Sequence, residues 1–172
     1  MPTNITQLPP PPELHPRAFT PAPKVRRPSD DLCSALATKL GDGESPRWDP
    51  EEARAELARA GAGHQASVAL RDLQDASRPA PANWLDERFR VLWILYMIGR
   101  LADLTPPAEW STEMAELLGD LPHDILAHSI DEAICEHPQM PSAVQIRAFA
   151  DPLVGERRMH IRRLRRVVET GL

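Results

Sequence analysis

The sequence predicts an all-α protein, a helical bundle of six or seven helices behind a disordered, proline-rich N-terminal arm. Three observations carry this expectation. Apolar residues recur at spacings of three and four along most of the chain. Glycine and proline punctuate these segments at short intervals. No segment alternates apolar and polar residues as a half-buried strand would.

Met1 to about Pro28 holds nine of the 19 prolines, including the run Pro9 to Pro12. Proline fixes φ and removes a backbone donor, so neither helix nor sheet propagates there. Residues 1–29 therefore read as a disordered or polyproline-II arm, either a spacer or a linear docking peptide. Residues 30–172 read as the helical domain, with linkers at about 41–47 and 77–83.

Asp30 to Leu40 is the first expected helix, with Leu32, Leu36 and Leu40 four residues apart and Gly41 as its stop. The second runs from Trp48 to Ala60. Asp49 suits its N-cap, Pro50 its first position, and Glu51 and Glu52 its positive dipole end. It stops at Gly61. A third covers about Gln65 to Ala76, with Val68, Ala69 and Leu73 inward. The fourth, Trp84 to Leu104, is capped by Asn83. Val91, Ile94, Leu95 and Ile98 make it apolar nearly all round, as in the centre of a bundle. Pro106 and Pro107 end it. Trp110 to Leu118 follows with Met114, Leu117 and Leu118 inward. Pro122 to Glu136 carries the apolar set Ile125, Leu126, Ile130, Ala133 and Ile134. Ser142 caps a helix through Ala150 with Val144, Ile146 and Phe149 inside. Asp151 then caps, and Pro152 opens, a last helix to about Glu169.

The formal net charge is −5, which excludes a protein that coats nucleic acid over its whole surface. The two cysteines, Cys33 and Cys135, form no CxxC, so neither a disulfide framework nor a thiolate metal site is expected. The longest apolar run, Val91 to Ile98, is far short of the roughly 20 residues a membrane span needs. With no signal-peptide pattern at the start, the expectation is a cytoplasmic protein with no membrane partner.

The charge is unevenly placed. The segment ERRMHIRRLRR carries Arg157, Arg158, Arg162, Arg163, Arg165 and Arg166 within ten residues. Val154, Ile161, Leu164 and Val168 share one face of that helix, and the arginines occupy the rest. They are the candidate nucleic-acid-binding residues, because guanidinium groups pair with backbone phosphates. A solvated helix covering an acidic body is the alternative.

Asp124, His128 and Glu132 recur every four residues and define a possible metal-binding face, although a solvated face is the simpler reading. HExxH is absent, and no metal or cofactor is expected. GxSxG, the P-loop and GxGxxG are also absent. No catalytic residue is assigned, and the chain is expected not to be an enzyme. Trp84, Trp93 and Trp110 read as core rather than as base-stacking platforms.

The stretch DLPHDILAHSIDEAICEHPQMPSAVQIRAFADP, Asp120 to Pro152, resembles the helical domain of phage-type replicative helicase loaders, in particular the loader-and-inhibitor group. Leu121, Asp124, Leu126, Ala133, Ile134, Pro141 and Ile146 carry the resemblance, which extends over about residues 110–166. It implies a non-catalytic replication accessory protein of phage or prophage origin in a bacterial host cell. Its partner would be a replicative helicase, held by an apolar helical face, with the arginine helix near DNA. Binding energy would then shift the conformational population of the helicase ring. Two alternatives stand beside it. One is a small DNA-binding protein, a packaging adaptor or regulator, with Gln145 and Arg147 as base readers. The other is an oligomeric scaffold joined through the apolar helix at Val91 to Ile98.

Overall fold

The computed structural model describes residues 29–37, 47–98 and 105–169. Seven α-helices lie among them: α1 (Asp30–Leu36), α2 (Pro50–Arg59), α3 (Gly63–Ala76), α4 (Ala82–Met97), α5 (Ala108–Leu118), α6 (His123–Glu136) and α7 (Ala143–Glu169). No strand occurs among the described residues, only an isolated bridge between Pro79 and Pro122. Residues 1–28 of the proline-rich arm, Leu40, Gly41 with most of the 41–47 linker, and Leu101 with Leu104 lie outside the described residues, while Ser29 is the N-cap of α1.

Local chemistry starts several of these helices. The Asp49 carboxylate accepts hydrogen bonds from the amides of Glu51 (2.8 Å) and Glu52 (3.3 Å), satisfying two of the free donors of α2. Gly61, at φ +65°, turns the chain out of α2 in a conformation that costs glycine little. Ser142 and Gln145 form a reciprocal capping box on α7. The Gln145 amide donates to Ser142 Oγ (3.3 Å), and the Ser142 amide donates to Gln145 Oε1 (2.8 Å). Asn83 does not cap α4. Pro81 holds the N-cap position in an extended conformation and α4 begins at Ala82, so Asn83 lies inside the first turn.

Pro152 does not open a separate helix. α7 runs unbroken for 27 residues with Pro152 inside it, a length of about 40 Å at 1.5 Å per residue. The proline removes the hydrogen bond to the Ala148 carbonyl. Ala148 and Pro152 both face outward, where water can serve that oxygen, while Ile146, Ala150 and Val154 hold the opposite side in the core.

Two hydrophobic clusters hold the molecule, and α7 belongs to both. The first joins α4, α5, α6 and the first half of α7, with Phe89, Leu92, Leu118, Leu126, Ile130 and Ile146 fully buried. Trp84 and Trp93 are buried in or beside it, and Trp110 packs against it. The second joins α1, α2, α3 and the second half of α7, through Leu32, Leu36, Leu57, Ala66, Leu164 and Val167. Each fully buried leucine contributes roughly 1.5–3 kcal/mol of transfer free energy.

Four apolar side chains assigned to the interior are instead at the surface: Leu95 and Ile98 are 46 % exposed, Leu117 41 % and Val144 73 %. Among the described residues, α4 buries one face rather than its whole circumference. Val144 lies in the first turn of α7, with Ala143 and Ile146 turned to α6 in its place.

Candidate functional site

The second half of α7 divides its six arginines into groups with different work. Arg157 is committed to the fold. Its guanidinium makes a two-pronged contact with the Asp124 carboxylate (2.8 and 2.5 Å) and donates to the carbonyl of Ala76 at the end of α3 (2.9 Å). The two side chains are 12 % and 18 % exposed. This single residue therefore ties α6, of the first cluster, to α3, of the second. Arg163 is committed in the same way. It donates to the carbonyl of Leu36, one of the oxygens left unpaired at the end of α1, and its guanidinium lies 5.3 Å from the centre of the Trp48 ring. Burial, followed by the neighbouring Arg162 charge, holds its pKa below the ordinary arginine value. Arg157 and Arg163 therefore serve the fold first, with donors of each guanidinium engaged inside the protein.

Arg158, Arg162 and Arg165 behave differently. They fall within about 60° of arc at 100° per residue and span about 10 Å of helix. All three are exposed, and none makes an ion pair or hydrogen bond among the described residues. With Gly155 and Ile161 they line an open groove of about 460 Å³. Gly155 matters because a Cβ there would meet nothing within 4 Å, so the groove floor is open at that end. Ile161, partly buried against the second cluster, supplies an apolar floor. Arg166 is exposed further round the helix.

The other sequence candidates are dispersed. Asp124 turns to Arg157, which leaves His128 facing Glu132 alone, with 3.9 Å from Nδ1 to the carboxylate. Among the described residues no group of three histidine, cysteine, aspartate or glutamate side chains converges on one point. Gln145 is held by Ser142 and lies 3.4 Å from His137 Nδ1. Arg147 grips both oxygens of Asp120 (2.8 Å each), donates to the Leu117 carbonyl and reaches Asp151 at 3.5 Å. Neither is available as a base reader.

Sequence reasoning passed over two features. One is the Asp120–Arg147 pair, whose hydrogen bonds hold the Asp120 carboxyl below the usual carboxylate range, with Arg158 adding a smaller pull in the same direction. The other is a row of exposed glutamates on α5, Glu109, Glu113 and Glu116, turned away from Met114 and Leu118. Its i, i+4, i+7 spacing was visible in the sequence.

The residues that carry the helicase-loader resemblance are packing residues. Leu121, Leu126, Ala133, Pro141 and Ile146 are buried, and Asp124 is occupied by Arg157. They lie mainly on α6, on α7 and in the segments beside them, where they pack the first cluster. Comparison of the chain with family models, curated proteins and solved structures returns no match.

Proposed function

We propose that the protein is a non-catalytic accessory protein that binds a larger partner, and that the arginine row of α7 contacts nucleic-acid phosphates. The observation that carries this reading is the alignment of Arg158, Arg162 and Arg165 along one open groove, with no counter-charge bonded to them among the described residues. Arginine forks suit phosphate oxygens, and phosphate contacts position a protein without reading sequence. The groove offers no exposed aromatic ring for base stacking, which favours duplex backbone over single strands. A replicative helicase, the partner implied by the resemblance of residues 110–166, is the matching protein ligand. The regulator reading loses ground because Gln145 and Arg147 are engaged within the protein.

Three phosphate contacts give a slope of log K against log salt of about −2.7, so affinity should fall about 40-fold between 50 and 200 mM salt. Fluorescence anisotropy with a labelled duplex tests this. R158E/R162E/R165E should abolish binding, and an unchanged salt slope in that variant would refute the reading. Co-elution with the helicase on size exclusion tests the protein partner separately.

A further inference from the structure

The charge rows of α5 and α7 match each other. Glu109, Glu113 and Glu116 repeat the i, i+4, i+7 spacing of Arg158, Arg162 and Arg165, so each row sets three like charges over the same length of helix. All six side chains are exposed, and none has an ion-pair partner among the described residues. The rows also meet. α5 ends at Leu118, and Asp120, four residues on from Glu116, is gripped by Arg147 of α7. Arg147 lies within about 20° of Arg158 round the α7 axis at 100° per residue, so the acidic row leads into the basic row through the Asp120–Arg147 pair. Beside each row is an apolar side chain: Leu117, 41 % exposed, next to Glu116, and Ile161 in the floor of the arginine groove.

We infer that this surface docks a second copy of the chain, as a twofold dimer. A twofold axis crossing near the Asp120–Arg147 pair sets the glutamates of each copy over the arginines of the other. Both rows are then neutralised by one symmetric contact, as an isologous interface requires. The same operation brings Leu117 of one copy toward the Ile161 floor of the other. The surfaces hold together chiefly by charge, so the dimer is salt-sensitive, since screening at 0.5 M salt reaches within about 4 Å. The inference stands apart from the nucleic-acid reading. If both hold, the second copy and a polyanion compete for the same arginines, and the dimer is the closed form of the groove.

Sedimentation velocity with the full chain tests it. At 50 mM NaCl and tens of micromolar protein, the chain should sediment as a dimer, and at 500 mM as a monomer. E109R/E113R/E116R should be monomeric at both, because its two rows are both basic. R158E/R162E/R165E should be monomeric for the opposite reason. An equimolar mixture of the two should recover the dimer at 50 mM, because each reversed row then meets its complement. A monomeric wild type at 50 mM, dimers of either reversed chain alone, or a mixture that stays monomeric would each overturn the inference. Circular dichroism checks that the reversed chains fold. Should either fail, the neutral variants E109Q/E113Q/E116Q and R158Q/R162Q/R165Q replace them, each expected to weaken the dimer at least tenfold, with unchanged dimerisation overturning the inference.

Discussion

Arg157→Ala is the substitution that most sharply separates the two kinds of arginine on α7. The guanidinium makes three hydrogen bonds, two to Asp124 and one to the Ala76 carbonyl, with both charged side chains more than four-fifths buried. Removing it leaves the Asp124 carboxylate without its counter-charge and the Ala76 oxygen without its donor. Breaking one side of a buried pair costs about 3–5 kcal/mol, and residual exposure places this site near the lower end, about 3 kcal/mol. Arg158, the adjacent residue, is exposed and engaged in no hydrogen bond, so Arg158→Ala should change stability by no more than about 0.5 kcal/mol. Urea unfolding followed by circular dichroism measures both. Replacing the pair together, R157M/D124L, should recover most of the loss, because it removes both the charge and the partner that needed it. Equal, small losses for Arg157→Ala and Arg158→Ala would refute the division of the arginines. So would a double variant as unstable as the sum of its parts.

Other consequences follow from the same structure. Leu126, fully buried in the first cluster, should cost about 2–5 kcal/mol as Leu126→Ala, whereas the exposed Val144 should cost under about 0.5 kcal/mol as Val144→Ala; urea midpoints distinguish them. Asp49→Ala removes the cap of α2 and should cost about 1 kcal/mol in the same assay, with Asp49→Asn nearly neutral. His123 packs 4.3 Å from the Trp84 ring, and burial holds its pKa below the ordinary histidine value. The unfolded chain therefore takes up a proton near pH 6.5 that the folded chain does not, so this contribution is intact above that pH and lost as pH falls below it. The difference in unfolding free energy between wild type and His123→Gln should shrink between pH 7.5 and pH 5.5; a constant difference would contradict the assignment.

Much of the fold was legible because it depends on local patterns. Spacing of three and four located the helical segments, though it divided α7 in two, and Asp49–Pro50 marked the start of α2 correctly, since that motif settles its own capping bonds. Asn83 misled because Pro81, two residues earlier, had already set the extended conformation from which a helix can start. Pro152 misled because a helix can carry a proline on its solvent face, where water serves the freed Ala148 carbonyl, and solvent exposure is a tertiary property. The arginine run was legible as a cluster but not as two groups. What commits Arg157 and Arg163 is a carboxylate 33 residues away and a carbonyl 127 residues away, and no local pattern announces either. The outward position of Leu117 and Val144 has the same origin, since which side of an apolar helix is covered depends on where its neighbours stop. The glutamate row of α5 could have been read directly, because its spacing is local and regular.

Arg157 and Arg163 of α7 hold the fold together, and Arg158, Arg162 and Arg165 are proposed to meet a polyanion. Phenylglyoxal labelling in dilute, low-salt solution, mapped by mass spectrometry with and without a DNA duplex, measures this residue by residue. Arg158, Arg162 and Arg165 should label readily and become protected when the duplex is added, while Arg157 and Arg163 should stay poorly labelled throughout. Protection spread evenly over all five arginines, or no protection of the exposed three, would contradict it.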